Sequence, residues 1–395
     1  MKFERAALSA GHLWSSPFAR WQGSLAEVSS LDLAVAVTGD ALAARAFDTG
    51  RVAQIVLGTT IPQPGAFYAA PWVAARLGMA GIGGPHLAQA CATSVACIVA
   101  AASAAEIERG HCALVVTADR TSNGPLLVYP RGRAMGGSPA VENWVLDNFA
   151  ADPWTGEAMV ATAEAVAREA GFSRTAVDEV TLLRYRQYAR ALEDDRAFQR
   201  RTLQPAAIGE GRRRIVVDAD EGVHASTAEG LRALAPVVEG GVVTFGSQTH
   251  PADGTAGCVV VDAADARALA GGAGVVRLLA AGFARAEKAR MPKAATTAAQ
   301  NALRDAGLGW ADVAVVNTHN PFAVNDLWFA RETGFALERM NPYGCSLVWG
   351  HPQAPTGLRG IVELVEALRV AGGGVGVFTG CAAGDTGAAL VLRVD

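Results

Sequence analysis

Two unbroken apolar runs, AQIVLGTTI at 53–61 and CALVVTA at 112–118, bracket an alanine-rich helical stretch, and this arrangement leaves few folds open to the chain. A strand that is apolar at every position has no face for water, so both its faces must be covered. The stretch TSVACIVAAASAAEIERG supplies one cover, and Gly110 stands where a helix ends. Strand, helix and strand in this order predict a β-α-β unit of a parallel sheet. The last fifty residues repeat the logic: APTGLRGIVELVEALRVAG reads as helix, GVGVFTGCAAGD as a strand running into a glycine-rich turn, and GAALVLRV as a strand. A weak internal duplication, with a site between two α/β halves, is the economical reading.

The chain is long enough for two or three units. Of its 395 residues 51% are apolar and only 18% charged, where about 25% charged is usual. Boundaries are expected at 1–119 plus about 251–272 for the first half, 120–250 for an insertion, and 273–395 for the second half. Scattered Pro, Gly and Trp at 124–155 and one long charged helical pattern from Glu157 to Ala197 set the insertion apart. A net charge of −4 gives no general attraction for nucleic acid or an anionic membrane. No run of about 18 uncharged apolar residues is free of a turn residue, so no membrane span is expected. Six dispersed cysteines without a CxxC pair argue against disulfides and a zinc site, and point to a reducing, cytoplasmic compartment.

Three residues in small-residue turns stand out. Cys91, in QACATSV, lies at or just before a helix start, where free amide groups and the helix dipole would stabilise a thiolate. His351 lies in WGHPQAPTG between a glycine and a proline, and Cys381 ends a strand in FTGCAAGDTG. Taken singly, Cys91 and Cys381 read more readily as packed core residues, and His351 reads as readily structural as functional. Together they offer a thiolate to carry an acyl group, a base to activate it, and a second acid/base for a carbon acid. His250, in GSQTHPADG, and His319, in NTHNPFAVND, also sit in polar loops. One basic stretch, Ser173 to Arg214, includes Arg200, Arg201 and the triple Arg212, Arg213, Arg214; it reads either as a phosphate site or as a solvated face, and no spacing selects one arginine.

The segments CATSVAC, TADRTSN, MVATAEAVAREAGFSRTAVDE, DEGVHASTAEGLRALAPV, VVTFGSQTHPADGTA, NPYGCSLVWGHPQAPTG and CAAGDTG fall in the order and spacing of thiolases, so that nearly the whole chain resembles that family. The resemblance implies a five-layered αβαβα sandwich of two similar halves, with an inserted loop domain. It also implies an acyl-CoA:acetyl-CoA C-acyltransferase that makes and cleaves 3-ketoacyl-CoA, with acyl-CoA and coenzyme A as partners and no permanently bound cofactor. Cys91 would become acylated, His351 would take its proton, and Cys381 would act on C2 of the second thioester. Backbone N–H groups of Cys91 and Ala383 would hold an oxyanion. A homodimer or homotetramer is expected by analogy.

Departures accompany the resemblance. His319, Asn320, Pro321 and Phe322 replace the usual Asn-Glu-Ala-Phe, which resembles the branch with sterol-carrier-protein-type thiolases and makes His319 the partner of His351 at a second oxyanion site. Ala383 stands where glycine is usual. Ser247, Gln248 and Thr249 occupy the pantetheine loop, so Ser247, Thr249 and Phe322 are the expected substrate contacts, and His250 replaces a small residue. Two alternatives stay open: a condensing enzyme of the ketoacyl synthase type, against which the second thiol argues, and a non-catalytic relative that binds acyl-CoA or a partner.

Overall fold

The computed structural model describes residues 1–133, 135–211, 214–269 and 274–395. In chain order the first half contributes β1 (Ala6–Ser15), α1 (Ser30–Ala44), β2 (Gln54–Gly58), α2 (Ala69–Arg76), α3 (Thr93–Ile107) and β3 (Ala113–Arg120). After an excursion that includes α4 (Met159–Ala170) and α5 (Arg174–Ala191), β4 (Ala252–Asp262) returns to it. The second half runs β5 (Val276–Arg285), α6 (Met291–Ala306), β6 (Val313–His319), α7 (Ala323–Thr333), α8 (Ala354–Val370), β7 (Gly374–Ala382) and β8 (Thr386–Val394).

Each half pairs its strands in the same way. In the first, β1 and β3 flank β4 antiparallel and β2 joins β3 in parallel; in the second, β5 and β7 flank β8 antiparallel and β6 joins β7 in parallel. A short antiparallel contact, Ala7 with Arg277 and Leu8 with Val276, joins the halves into one ten-stranded mixed sheet.

Strand periodicity divides the core into layers. Ala113 and Val115 face inward with Leu390 and Leu392, while Leu114 and Val116 face α1 and α2, and Ala389 and Val391 face α6. The inner layer is filled by α3 and α8, whose Val95, Ile98, Leu358 and Ile361 are all buried between the two halves. Helix, sheet, helix pair, sheet and helix make the five layers of an αβαβα sandwich. This placement also bears on the expectation about membranes. Residues 90–107 are long and apolar enough to cross one by length and composition, yet they lie in the protein's central layer, packed on strands of both halves. An apolar helix buried on all sides has the same composition as a spanning one.

The charged pattern from Glu157 to Ala197 is two main helices rather than one. Gly171 takes φ +68°, which ends α4, and the Ser173 hydroxyl accepts from Ala176 N at 3.2 Å to start α5.

Candidate active site

Cys91 lies in the turn that feeds α3. Ala90 adopts φ +44° there, a left-handed conformation that costs a residue with a Cβ about 1–3 kcal/mol. Thr93 locks the turn, its Oγ1 donating to Ala90 O at 2.6 Å and accepting from Gln89 N at 2.8 Å. The thiol therefore leaves the helix axis and faces a cavity of about 630 Å³ that it lines together with His351, Gln353, Cys381 and Ala383.

His351 arrives from the other half. Gly350 before it has φ +93°, and a Cβ there would meet His250 Nε2 at 2.8 Å and Ala252 Cβ at 2.9 Å, so only glycine lets the loop pass. Backbone N–H of His351 donates to His250 O at 2.8 Å. The imidazole then stands with Nε2 at 3.0 Å from Cys91 Sγ and Nδ1 at 2.6 Å from Thr356 Oγ1 on the first turn of α8. Asp119 braces the same helix end from the first half, accepting from Ala354 N at 2.9 Å, Thr60 N at 2.8 Å and Ile61 N at 3.0 Å.

His319, at the end of β6, stacks on His351 with ring centroids 4.1 Å apart. The Ser346 hydroxyl has one hydrogen, and His319 Nδ1 at 2.8 Å is a closer acceptor for it than Asn320 Oδ1 at 3.2 Å. That choice puts the ring proton on Nε2, which is buried and has no partner among the described residues. Asn320 is held in turn by Asp326 at 2.6 Å, and Asp326 by the buried Arg184 of α5 at 2.7 Å. A hydrogen-bonded path thus runs from the insertion to the histidine pair. Ligand atoms of Cys91, His319 and His351 lie within 4.8 Å of one another. The two rings are stacked at an interplanar angle of 29°.

Cys381 is buried at the cavity wall and accepts from Asn325 Nδ2 at 3.2 Å. Backbone N–H groups of Ala383 and of Cys91 itself both reach the Cys91 sulfur. Burial dominates the protonation of all these groups. It pushes the Cys91 thiol up to about 12, overriding the two N–H groups, with the Asp119 charge adding to the rise. It raises Cys381, lowers His319 to about 3, and holds His351 well below its ordinary value. The expected helix-end stabilisation of a Cys91 thiolate is therefore outweighed in the free protein. At pH 7 the pair is a neutral thiol and a neutral imidazole. Because only the thiolate alkylates, reaction of Cys91 with iodoacetamide is expected to rise about tenfold per pH unit from pH 6 to 9. A plateau beginning near pH 5, read from the mass of the Cys91 peptide, would instead identify a resting ion pair.

The other expected contacts divide. Thr249 and Phe322 line the cavity, and Thr249 Oγ1 donates to Ser346 O at 2.5 Å. Ser247 does not reach it: the side chain is fully buried and its Oγ accepts from Thr244 N at 2.9 Å, because the turn needs that hydroxyl to close. Its carbonyl instead accepts from Ala323 N at 3.0 Å, which seats the loop beside Phe322. Among the described residues no arginine lines the cavity. Arg201 pairs with Glu366, Arg200 with Asp195, and Arg196 bonds Asp218 O at 2.5 Å. Arg212 and Arg213 lie outside the described residues.

Sequence reasoning passed over Gln353, Thr356, Asn325, Ser346 and Asp119. Thr356 alone had a usable signal, a hydroxyl five residues after His351 at a helix start. Ser346, Asn325 and Asp119 act on groups far away in the chain, and so does Gln353 in its contact with Cys91.

Family models match in two blocks: the thiolase N-terminal domain over residues 14–264 and the thiolase C-terminal domain over residues 273–394. Among curated proteins, the acetyl-CoA acetyltransferase of Escherichia coli (strain K12) is 28% identical over 378 residues, which cover 94% of this chain and 95% of that protein. The 3-ketoacyl-CoA thiolase of Erwinia tasmaniensis is 27% identical over 441 residues, covering 99% and 97%. Among solved structures, human mitochondrial 3-ketoacyl-CoA thiolase in complex with CoA superposes with a TM-score of 0.89 at 22% identity, covering 99% of this chain and 98% of that one. The Bacillus anthracis acetyl-CoA acetyltransferase does so at 0.90 with 23% identity, covering all of both chains. With family models matching both halves, and the same sandwich in the solved neighbours, this chain belongs to the thiolase family.

Proposed function

We propose that this acyltransferase condenses and cleaves coenzyme A thioesters through an acyl group carried on Cys91. The observation that supports this most strongly is the convergence of Cys91 Sγ, His351 Nε2 and the Cys381 thiol on one cavity, with 3.0 Å between the first two. With Nδ1–H donating to Thr356, the Nε2 lone pair of His351 takes the thiol proton as Sγ bonds to the thioester carbon. The oxygen of that carbon becomes an anion held by the N–H groups of Cys91 and Ala383. The C–S bond to coenzyme A then breaks, and the proton on His351 leaves with the coenzyme A thiol. In the second half, Cys381 gives its own proton to the freed Nε2 of His351 and, as thiolate, removes a proton from C2 of the second thioester. The resulting carbanion attacks the acyl carbon, and Cys91 leaves and recovers the proton held on His351.

His319 Nε2–H is the donor we assign to the enolate oxygen that forms beside His351 in this second step. Mostly apolar walls, among them Trp144, Phe149, Met159 and Met291, leave room beyond an acetyl group. Incubating the protein with acetoacetyl-CoA and coenzyme A tests the reading: the ketoacyl thioester should disappear with ping-pong kinetics, and the Cys91 peptide should gain one acetyl mass. Absence of an acylated Cys91 with acyl groups of every length would leave a binding protein instead. Acylation accompanied by turnover of malonyl thioesters alone would point to a decarboxylating synthase.

A further inference from the structure

The residue after Pro352 is held in a conformation its side chain does not favour. Gln353 has φ +67° and ψ −102°, in a region that L residues other than glycine seldom occupy. Its surroundings leave it no choice. Asp119 holds the N–H of the next residue, Ala354, at 2.9 Å, and the Gln353 carbonyl accepts from Thr356 N at 3.2 Å. The strain turns the side chain back into the cavity, where its amide oxygen lies 3.3 Å from Cys91 Sγ. The same amide also hydrogen-bonds the His351 imidazole and works against the effect of burial on that ring.

We propose that Gln353 is a further catalytic residue, its amide accepting from the Cys91 thiol at rest and, turned over about its last bond, donating N–H to the sulfur as the proton leaves for His351. This rests on the Cys91 acyl route proposed above. Among side chains the sulfur's one hydrogen is shared at rest between His351 Nε2 and Gln353 Oε1, so the amide must change role when that hydrogen leaves with His351. His351 becomes protonated and keeps Nε2–H toward the sulfur. An amide oxygen facing a thiolate would repel it, and rotation replaces that oxygen by a donor. The exchange favours the thiolate, because S–H is a weak donor whereas a bond to an ionised acceptor is about twice as strong as a neutral one. No bond is oxidised or reduced; one proton moves from Sγ to Nε2 and returns. The other titratable groups acting on the sulfur are His351, Cys381 and Asp119, and all are unchanged in the test.

Alkylation of Cys91 by iodoacetamide in the full chain at pH 8, followed by the mass of the Cys91 peptide, reads the contact without substrate. Gln353→Met keeps the bulk and removes the donor, and about tenfold slower alkylation is expected, equivalent to one pKa unit. Gln353→Glu, which when ionised only accepts, should be slower still. A merely structural role predicts the opposite sign, since a loosened wall would expose the thiol and speed the reaction. Alkylation of Gln353→Met within twofold of the parent protein, or faster than it, overturns the proposal. If the parent protein forms no acyl-enzyme while the tenfold difference persists, the acyl route fails and the Gln353–thiol contact stands.

Discussion

Cys91→Ala is expected to lower acetoacetyl-CoA thiolysis by about four orders of magnitude or more, the scale seen when a covalent nucleophile is removed. Cys381→Ala should separate the two half reactions. With Cys91, His351 and both N–H donors in place, acetyl transfer from acetyl-CoA to Cys91 should continue, visible as acetyl mass on the peptide and as exchange of labelled coenzyme A. Carbon–carbon bond making and breaking should fall by about 10²–10⁴-fold, the usual contribution of a positioned acid/base. Loss of both half reactions in Cys381→Ala, with an unchanged melting temperature, would sink this division of roles. Asn325→Ala, which removes only the donor 3.2 Å from the Cys381 sulfur, should slow the second half reaction alone and more mildly.

Asp220→Ala is expected to destabilise the fold by about 3–5 kcal/mol, the cost of leaving a buried charge without its partner. Asp220 lies in the 120–250 segment, and both its oxygens meet Arg359 of α8, at 2.6 and 2.8 Å. Tyr188 OH donates to it at 2.9 Å and Phe18 N at 2.9 Å. Arg359 also bonds Glu363 at 3.0 Å and lies 4.3 Å from the Trp349 ring and 4.7 Å from that of Phe18. Asp220 and Arg359 are almost fully buried. Arg359 attracts the charged form of Asp220 strongly enough to lower its pKa in spite of burial. A carboxylate with a depressed folded pKa stabilises above its unfolded value, near 4, and that stability is lost as pH falls through the folded one. Glu363 has the reverse sign: burial raises it to about 7, so its contribution is present at lower pH and fades as pH rises through about 7. Urea titrations of Asp220→Ala and of the apolar pair Asp220→Leu with Arg359→Met check the account. The pair should recover part of the loss; a single variant within 1 kcal/mol of the parent would refute it. The consequence reaches the site, because Arg359 lies one turn beyond Thr356, which holds His351.

Strand and helix order were readable because local periodicity reports burial. Residues 113–116 are apolar throughout, and that alone required a sheet covered on both faces. Cys91, His351 and Cys381 stood out because glycine and proline mark turns where backbone must bend or pass closely, as Gly350 does beneath His250. The same reasoning failed at Ser247, where a hydroxyl in a loop closes the loop instead of facing a ligand. It failed also for the 157–197 segment, where overall helical character hid the cap at Ser173.

By itself the sequence determined the elements, their two-fold repetition and the residue types able to carry acyl chemistry, since each of these is set by neighbours along the chain. Only the tertiary structure decided which groups meet and in what state of charge. Cys91 and His351 are 260 residues apart in the chain and 3.0 Å apart in space, and Asp119 reaches across 235 residues to the helix that carries Thr356. Burial, which no local pattern reports for a single thiol, raises Cys91 and lowers His351 so that both are neutral at rest. The physical reason is common to both: contact and desolvation belong to the packed interior that the two halves form together.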